Sequence, residues 1–307
     1  VSCRRQSAVA GALLVAALAI AGCGVGAGAD VGEVSLTVTR DFGAESLLPR
    51  VEESAVESDT VMRVLDRNAE VSTRYGGGYV SAIEGLAEAV RGGQRYDWFF
   101  YVDGVESPIG AAEFSLRGGE AIWWDYRDWS SASRVSAVVG SFPHPLVGGY
   151  EGERRPVSLE CRVGAVACAT ARRRLSAAGV ALAGGRAGDS LRILVGTWAS
   201  LREDRAAAQI ERGPQVSGVF ADFARRAGGF ELFGLDEHGD PVRSFGPGAG
   251  LVAATRRFDA PPVWLITGAT ASGVRAAVGL LDAAHLRNHY AVATEGGQEM
   301  PLPLEAR

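Results

Sequence analysis

The sequence predicts two successive folds, an α+β domain over residues 33–129 and an α/β domain over residues 155–295. Three observations carry that expectation. Alternating apolar and polar residues, the pattern of half-buried strands, frame one short helical segment in the first stretch. Short continuous apolar runs, as in strands buried on both faces, alternate with helical patterns in the second. Residues 130–154, rich in Gly, Pro and Ser between positions 140 and 152, separate the two and read as a linker.

The chain begins with the three parts of a secretory signal. Arg4 and Arg5 form a short positive region, residues 8–21 are apolar, and Ile20-Ala21-Gly22-Cys23 matches the bacterial lipobox. A bilayer span needs roughly 20 apolar residues, more than this core supplies. Residues 1–22 are therefore expected to be removed as a signal peptide and Cys23 to take a diacylglycerol. The other readings are a cleaved signal with a chance cysteine, or an uncleaved anchor. Residues 23–32, rich in Gly and Ala, then form a flexible tether off the outer face of the cell membrane.

Composition prunes the functions open to such a chain. The net charge is −5, and nucleic-acid binders need clustered cations, so nucleic acid is not an expected partner. No lysine occurs, which excludes a Walker loop, a Schiff base and a Ser-Lys dyad. Cys3 leaves with the signal and Cys23 is lipidated, so Cys161 and Cys168 remain for a disulfide in an oxidising exterior. Along one helix their Cα atoms would be about 10 Å apart. A bridge needs less than about 7 Å, so Cys161 must end a strand and Cys168 start the next helix. Two small buried thiols are the alternative.

In the first domain, Val34, Leu36 and Val38 alternate with Ser35, Thr37 and Thr39 in a half-buried strand. Asp41-Phe42-Gly43 turns the chain, and residues 47–56 read as a weaker strand. Ser58-Asp59-Thr60 offers caps for a short helix with Val61, Val64 and Leu65 at helical spacing. Gly76-Gly77-Gly78 interrupts it, and residues 79–86 resume it. Trp98, Phe100 and Val102 alternate as a strand that turns at Asp103-Gly104, and residues 122–126 form the last strand after Gly118-Gly119. Two strands, a helix and further strands point to a β-grasp-like topology.

Three runs in this domain resemble the transcobalamin C-terminal-like family: Val80-Ser81-Ala82-Ile83-Glu84-Gly85-Leu86, Asp97-Trp98-Phe99-Phe100-Tyr101-Val102-Asp103-Gly104, and Gly119-Glu120-Ala121-Ile122-Trp123-Trp124-Asp125-Tyr126. That family supplies the C-terminal domain of cobalamin carriers and recurs in bacterial surface proteins. The resemblance implies this compact fold and, as a ligand class, a corrinoid. Asp103 departs from the family, which more often has Asn there, and no helical barrel accompanies the domain.

The same residues are the densest aromatic cluster in the chain. Alternation places Trp98 and Phe100 on one sheet face with Ile122, Trp124 and Tyr126, as structural core. Phe99, Tyr101 and Trp123 fall on the opposite face. Two readings stay open for that second face. Cross-strand packing would stabilise the sheet by about 0.2–1 kcal/mol per pair. Alternatively it is a platform for a small planar ligand or a peptide.

In the second domain, residues 156–161 are a strand and residues 165–178 a helix with Cys168, Ala171, Leu175 and Ala178 on one face. Residues 191–195 and 263–267 are apolar runs, and residues 219–223, 230–235 and 251–255 are further strand candidates. Val274, Ala277, Val278 and Leu281 face inward from a last helix, residues 289–293 close the pattern, and residues 296–307 are a tail.

Catalytic motifs are missing from this pattern. There is no G-x-S-x-G elbow. Gly246-Pro247-Gly248-Ala249-Gly250 precedes a strand and so fails as a dinucleotide loop. Residues 268–272 open a helix and could hold an anion, though capping by Ser272 explains them more simply. His285 and His289 are spaced as helical metal ligands but lack a partner motif, so neither a metal nor a cofactor is expected. The expected function is an extracytoplasmic lipoprotein that binds a small planar ligand, a corrinoid being one case, for a membrane transporter. An envelope protein- or polymer-binding module is the alternative, and an enzyme the third.

Overall fold

The structure, a computed structural model, describes residues 28–183 and 190–306; the expected signal peptide and Cys23 lie outside the described residues. The protein is mostly β-sheet with few helices.

The first half contains β1 (Asp30–Arg40), β2 (Glu45–Ser46), β3 (Val51–Val56), α1 (Val61–Asn68), β4 (Val71–Arg74), β5 (Tyr79–Ile83), β6 (Leu86–Ala87), β7 (Ala89–Arg91), β8 (Gln94–Val102), β9 (Val105–Glu106) and β10 (Ala121–Asp128). A seven-stranded sheet runs β2-β1-β10-β8-β7, with β3 also on β1 and β9 on β8. Its centre is the parallel pair β1 and β10, and β8 lies antiparallel to β10. The Thr60 hydroxyl accepts from the Arg63 N–H and starts α1, whose Val61, Val64 and Leu65 are buried against the sheet.

Residues 79–83 do not resume that helix. Gly76 and Gly77 have φ values of 72° and 94°, which a helix cannot accommodate, and β5 pairs with β4 and β6 as a small antiparallel sheet. Burial on β1 also departs from expectation. Ser35, Thr37 and Thr39 are buried along with Val34, Leu36 and Val38, because the second half of the chain covers the polar face.

The second half contains β11 (Val157–Arg162), α2 (Ala165–Ala177), β12 (Leu191–Thr197), α3 (Trp198–Leu201), α4 (Pro214–Ser217), β13 (Ala221–Arg226), β14 (Gly229–Leu235), β15 (Pro241–Ser244), β16 (Gly250–Thr255), β17 (Val263–Gly268), α5 (Ala271–Gly279), α6 (Ala283–Leu286), β18 (Ala291–Glu295) and β19 (Gln298–Leu302). A six-stranded sheet runs β11-β12-β17-β16-β18-β19, parallel over its first three strands and antiparallel beyond. Helices α2 and α5 cover one face through Leu175, Val274, Ala277 and Val278. The other face packs on Trp198, Phe220 and Phe223, beside the β13-β14-β15 sheet. The C-terminal residues are not a free tail, since β19 is the edge strand and the Leu304 N–H donates to Leu235 C=O at 2.8 Å.

A disulfide joins Cys161 on β11 to Cys168 in α2 with Cα atoms 6.0 Å apart, so the expected bridge forms between a strand and the next helix. Residues 130–154 are not a loose linker. Val135, Val138, Val139 and Phe142 are buried. The Val138 N–H donates to Gly104 C=O at 2.9 Å and the Val139 N–H to Tyr290 C=O at 3.2 Å, so the segment is hydrogen-bonded to both halves.

Candidate functional site

The two large sheets meet across the second aromatic face. On β10 and β8 the register sets Trp123 opposite Tyr101 and Asp125 opposite Phe99. From the other side comes Tyr290, just before β18. Its phenol donates to Asp125 Oδ2 at 2.9 Å and accepts from the Tyr101 hydroxyl at 3.2 Å. Asp125 Oδ1 accepts from the Thr39 hydroxyl at 2.6 Å and the Gly43 N–H at 3.0 Å, while the Trp123 indole N–H donates to Thr39 Oγ1 at 2.7 Å. Every polar atom in this chain of contacts has a partner, which is what a buried network requires. Burial pushes the Asp125 carboxyl up to about 6, against the downward pull of the Thr39 and Tyr290 hydroxyls.

Glycine makes the approach close enough. A Cβ on Gly43 would lie 1.8 Å from the Asn288 carbonyl oxygen, and one on Gly140 would lie 2.6 Å from the Trp123 ring. No side chain fits at either position.

Trp98, Ile122, Trp124 and Tyr126 are core residues beneath α1, with Phe100 stacked on Trp124 at 4.8 Å. Phe99, Tyr101 and Trp123 do lie on the opposite face, yet that face is not an open platform. Tyr101 and Trp123 are 0% and 2% exposed, under Tyr290, and the Arg127 guanidinium sits 3.8 Å above the Phe99 ring. The expected binding surface is filled by the chain itself, because the polar-facing side of the first sheet is one wall of the contact between the halves.

Solvent reaches the edge of this contact in one small cleft. Thr37, Arg50, Trp123, Ser141, His144, Arg287 and Asn288 line about 150 Å³ between the first sheet, the 130–154 segment and the turn after α6. No carboxylate lines it. Arg50 is exposed and 3.3 Å from Glu52, and Arg287 is exposed, so two guanidinium groups stand at the mouth. Behind them His144 Nδ1 is 3.2 Å from Asp103 Oδ1. Burial, then the Arg50 charge, lowers the His144 imidazole, while burial pushes the Asp103 carboxyl up to about 8. Near neutral pH both are mostly uncharged, so the positive charge of the cleft comes from Arg287 and from Arg50, which Glu52 partly offsets. Such a pocket can hold a small anion by charge-assisted hydrogen bonds.

Sequence reasoning missed Arg50, His144, Arg287 and Asn288 as a group. No local signal marks them, since they come from three separate segments and only the docking of the halves assembles them. The other candidates resolve more simply. Thr270, not Ser272, caps α5, accepting from the Gly273 N–H at 3.3 Å. His285 contacts Asp282 at 2.6 Å, and α6 ends at Leu286, so His289 does not share a helical face with it. No helix among the described residues is long and apolar enough to cross a membrane.

No curated protein matches the chain. Residues 58–128, which run from just before α1 to the end of β10 and hold Trp98, Tyr101, Trp123 and Asp125, match a domain family described as a domain of unknown function (DUF4430).

Proposed function

We propose that this chain is an extracytoplasmic lipoprotein, anchored at the outer face of the cell membrane through Cys23, that captures a small anionic ligand between its halves for a membrane transporter. The observation that carries the ligand class is the cleft with Arg50 and Arg287 at its mouth and no carboxylate in its lining. Its volume of about 150 Å³ is below the roughly 300 Å³ at which drug-sized ligands begin. It suits a phosphate, a sulfate or a short carboxylate, and it is too small for a corrinoid ring. The order β3-β1-β10-β8 around a parallel central pair, with α1 on one face, supports the β-grasp-like reading of the first half and its likeness to the transcobalamin C-terminal-like family. The aromatic face that a flat ligand would need is occupied by Tyr290.

Calorimetric titration of the detergent-solubilised full chain with phosphate, sulfate and malonate tests the ligand class. Saturable binding of at least one anion is expected, weakened tenfold or more in Arg50→Ala/Arg287→Ala. Absence of binding to all three, or binding equal in the double variant, would sink the proposal.

A further inference from the structure

A second cluster of donors lies on the far side of the contact between the halves, away from the arginine cleft. One ligating atom each from Asp128, Glu237 and His238 falls within 4.8 Å of the other two. Asp128 ends β10, and Glu237 and His238 lie in the turn between β14 and β15.

Asp128 is the informative member, because its side chain is fully buried. Its Oδ1 accepts from the Ser130 N–H at 2.9 Å and the Ser130 hydroxyl at 2.6 Å, which fixes the carboxylate's orientation. Its Oδ2 has no hydrogen-bond partner and faces His238 Nδ1 at 3.5 Å. A buried charged acceptor left without a partner is expensive, by more than the roughly 1–3 kcal/mol of a neutral one. A protonated His238 or a bound cation would satisfy that oxygen.

The imidazole is already aimed. The Tyr96 hydroxyl donates to Gln94 Oε1 at 2.9 Å, which leaves the Gln94 amide nitrogen against His238 Nε2 at 2.7 Å. The His238 N–H donates to Asp236 Oδ1 at 2.9 Å and pins the turn. The Ser131 hydroxyl bonds the Glu237 carbonyl.

We propose that Asp128, Glu237 and His238 form a site for a divalent transition cation, Zn²⁺ by its donor set, that ties the end of β10 to the β14–β15 turn. One imidazole and two carboxylates match the Zn²⁺ preference for nitrogen and oxygen at about 2.0–2.2 Å, with a fourth position for water. Ca²⁺ would want six to eight oxygens, which three side chains do not supply. Ligation through Nδ1 moves the ring proton to Nε2 and keeps the imidazole neutral. With its amide turned over, Gln94 Oε1 then accepts a hydrogen bond from His238 Nε2–H, an outer contact that orients the ring.

The test uses the detergent-solubilised full chain, stripped with a chelator and titrated with Zn²⁺ by calorimetry and by thermal melting. One Zn²⁺ per chain and a higher melting temperature are expected. Glu237→Gln and His238→Ala, both at partly exposed positions, should each weaken binding at least tenfold and remove the thermal shift. His285→Ala should change neither, and Ca²⁺ should not substitute. The site is disproved if Zn²⁺ does not saturate, if both variants bind as wild type does, or if Ca²⁺ binds equally well.

Discussion

The Tyr290 hydroxyl donates a 2.9 Å hydrogen bond to Asp125 Oδ2, so the chain closes its C-terminal sheet onto the central strand of its N-terminal one. Both residues are buried, and they come from positions 165 apart in sequence. Tyr290→Phe keeps the packing and removes only this bond. The expected loss is about 1.5–3 kcal/mol at pH 7.5, the range for a hydrogen bond to a charged group. Burial pushes the folded Asp125 carboxyl up to about 6, from the usual 3.8. Its favourable contribution is therefore complete below about pH 4 and fades as pH rises toward 6, where the anion must be held in the interior. Without the phenol that anion is harder to hold, so the variant's deficit should grow between pH 4 and pH 7. Urea unfolding at both pH values checks this, and a deficit equal at both would refute the coupling.

Truncation on either aromatic face should destabilise the protein alike. Trp98→Ala empties the core under α1, and Tyr101→Ala empties the contact beneath Tyr290. Each should cost about 3–5 kcal/mol by chemical denaturation. A Tyr101→Ala protein as stable as wild type would mean that the second face is open in solution.

Asp103 carries a burial penalty that one substitution should relieve. Its folded carboxyl is pushed from 3.8 up to about 8, by burial first. A raised acid stabilises fully below about pH 4, and that contribution is lost as pH climbs to about 8. Asp103→Asn keeps an oxygen to accept the Ala121 N–H now bonded to Oδ1 at 2.9 Å, and Asn tolerates the residue's φ of 54°. The variant should therefore melt higher at pH 7, by on the order of 3–4 kcal/mol of stability, with the gain vanishing at pH 4. A variant less stable at pH 7 would show that the carboxyl makes a contact Asn cannot replace.

Lipidation can be read directly. Cells fed a clickable fatty acid should label wild type and not Cys23→Ser, which should leave the membrane fraction. Unlabelled wild-type protein would remove the anchor from the proposed function.

The sequence by itself determined most local elements, though not strand β5, and the pairings set by short-range constraint. Alternation placed Trp98, Trp124 and Tyr126 on one face and Tyr101 and Trp123 on the other, because side chains on a strand point to opposite sides in turn. Seven residues and the reach of a disulfide put Cys161 on a strand and Cys168 in the next helix. Continuous apolar runs marked β12 and β17 as strands buried on both faces. What covers the second aromatic face was decided only by tertiary structure. Tyr290, Gly43, Gly140 and the 130–154 segment carry no local sign that they will meet, since loop composition reports backbone freedom and not destination. The Arg50–Arg287 cleft and the Asp128–Glu237–His238 cluster depend on the same docking, for each draws its residues from both halves of the chain. Periodicity records which side of an element is buried, and it is silent on whether the chain itself or a ligand does the burying.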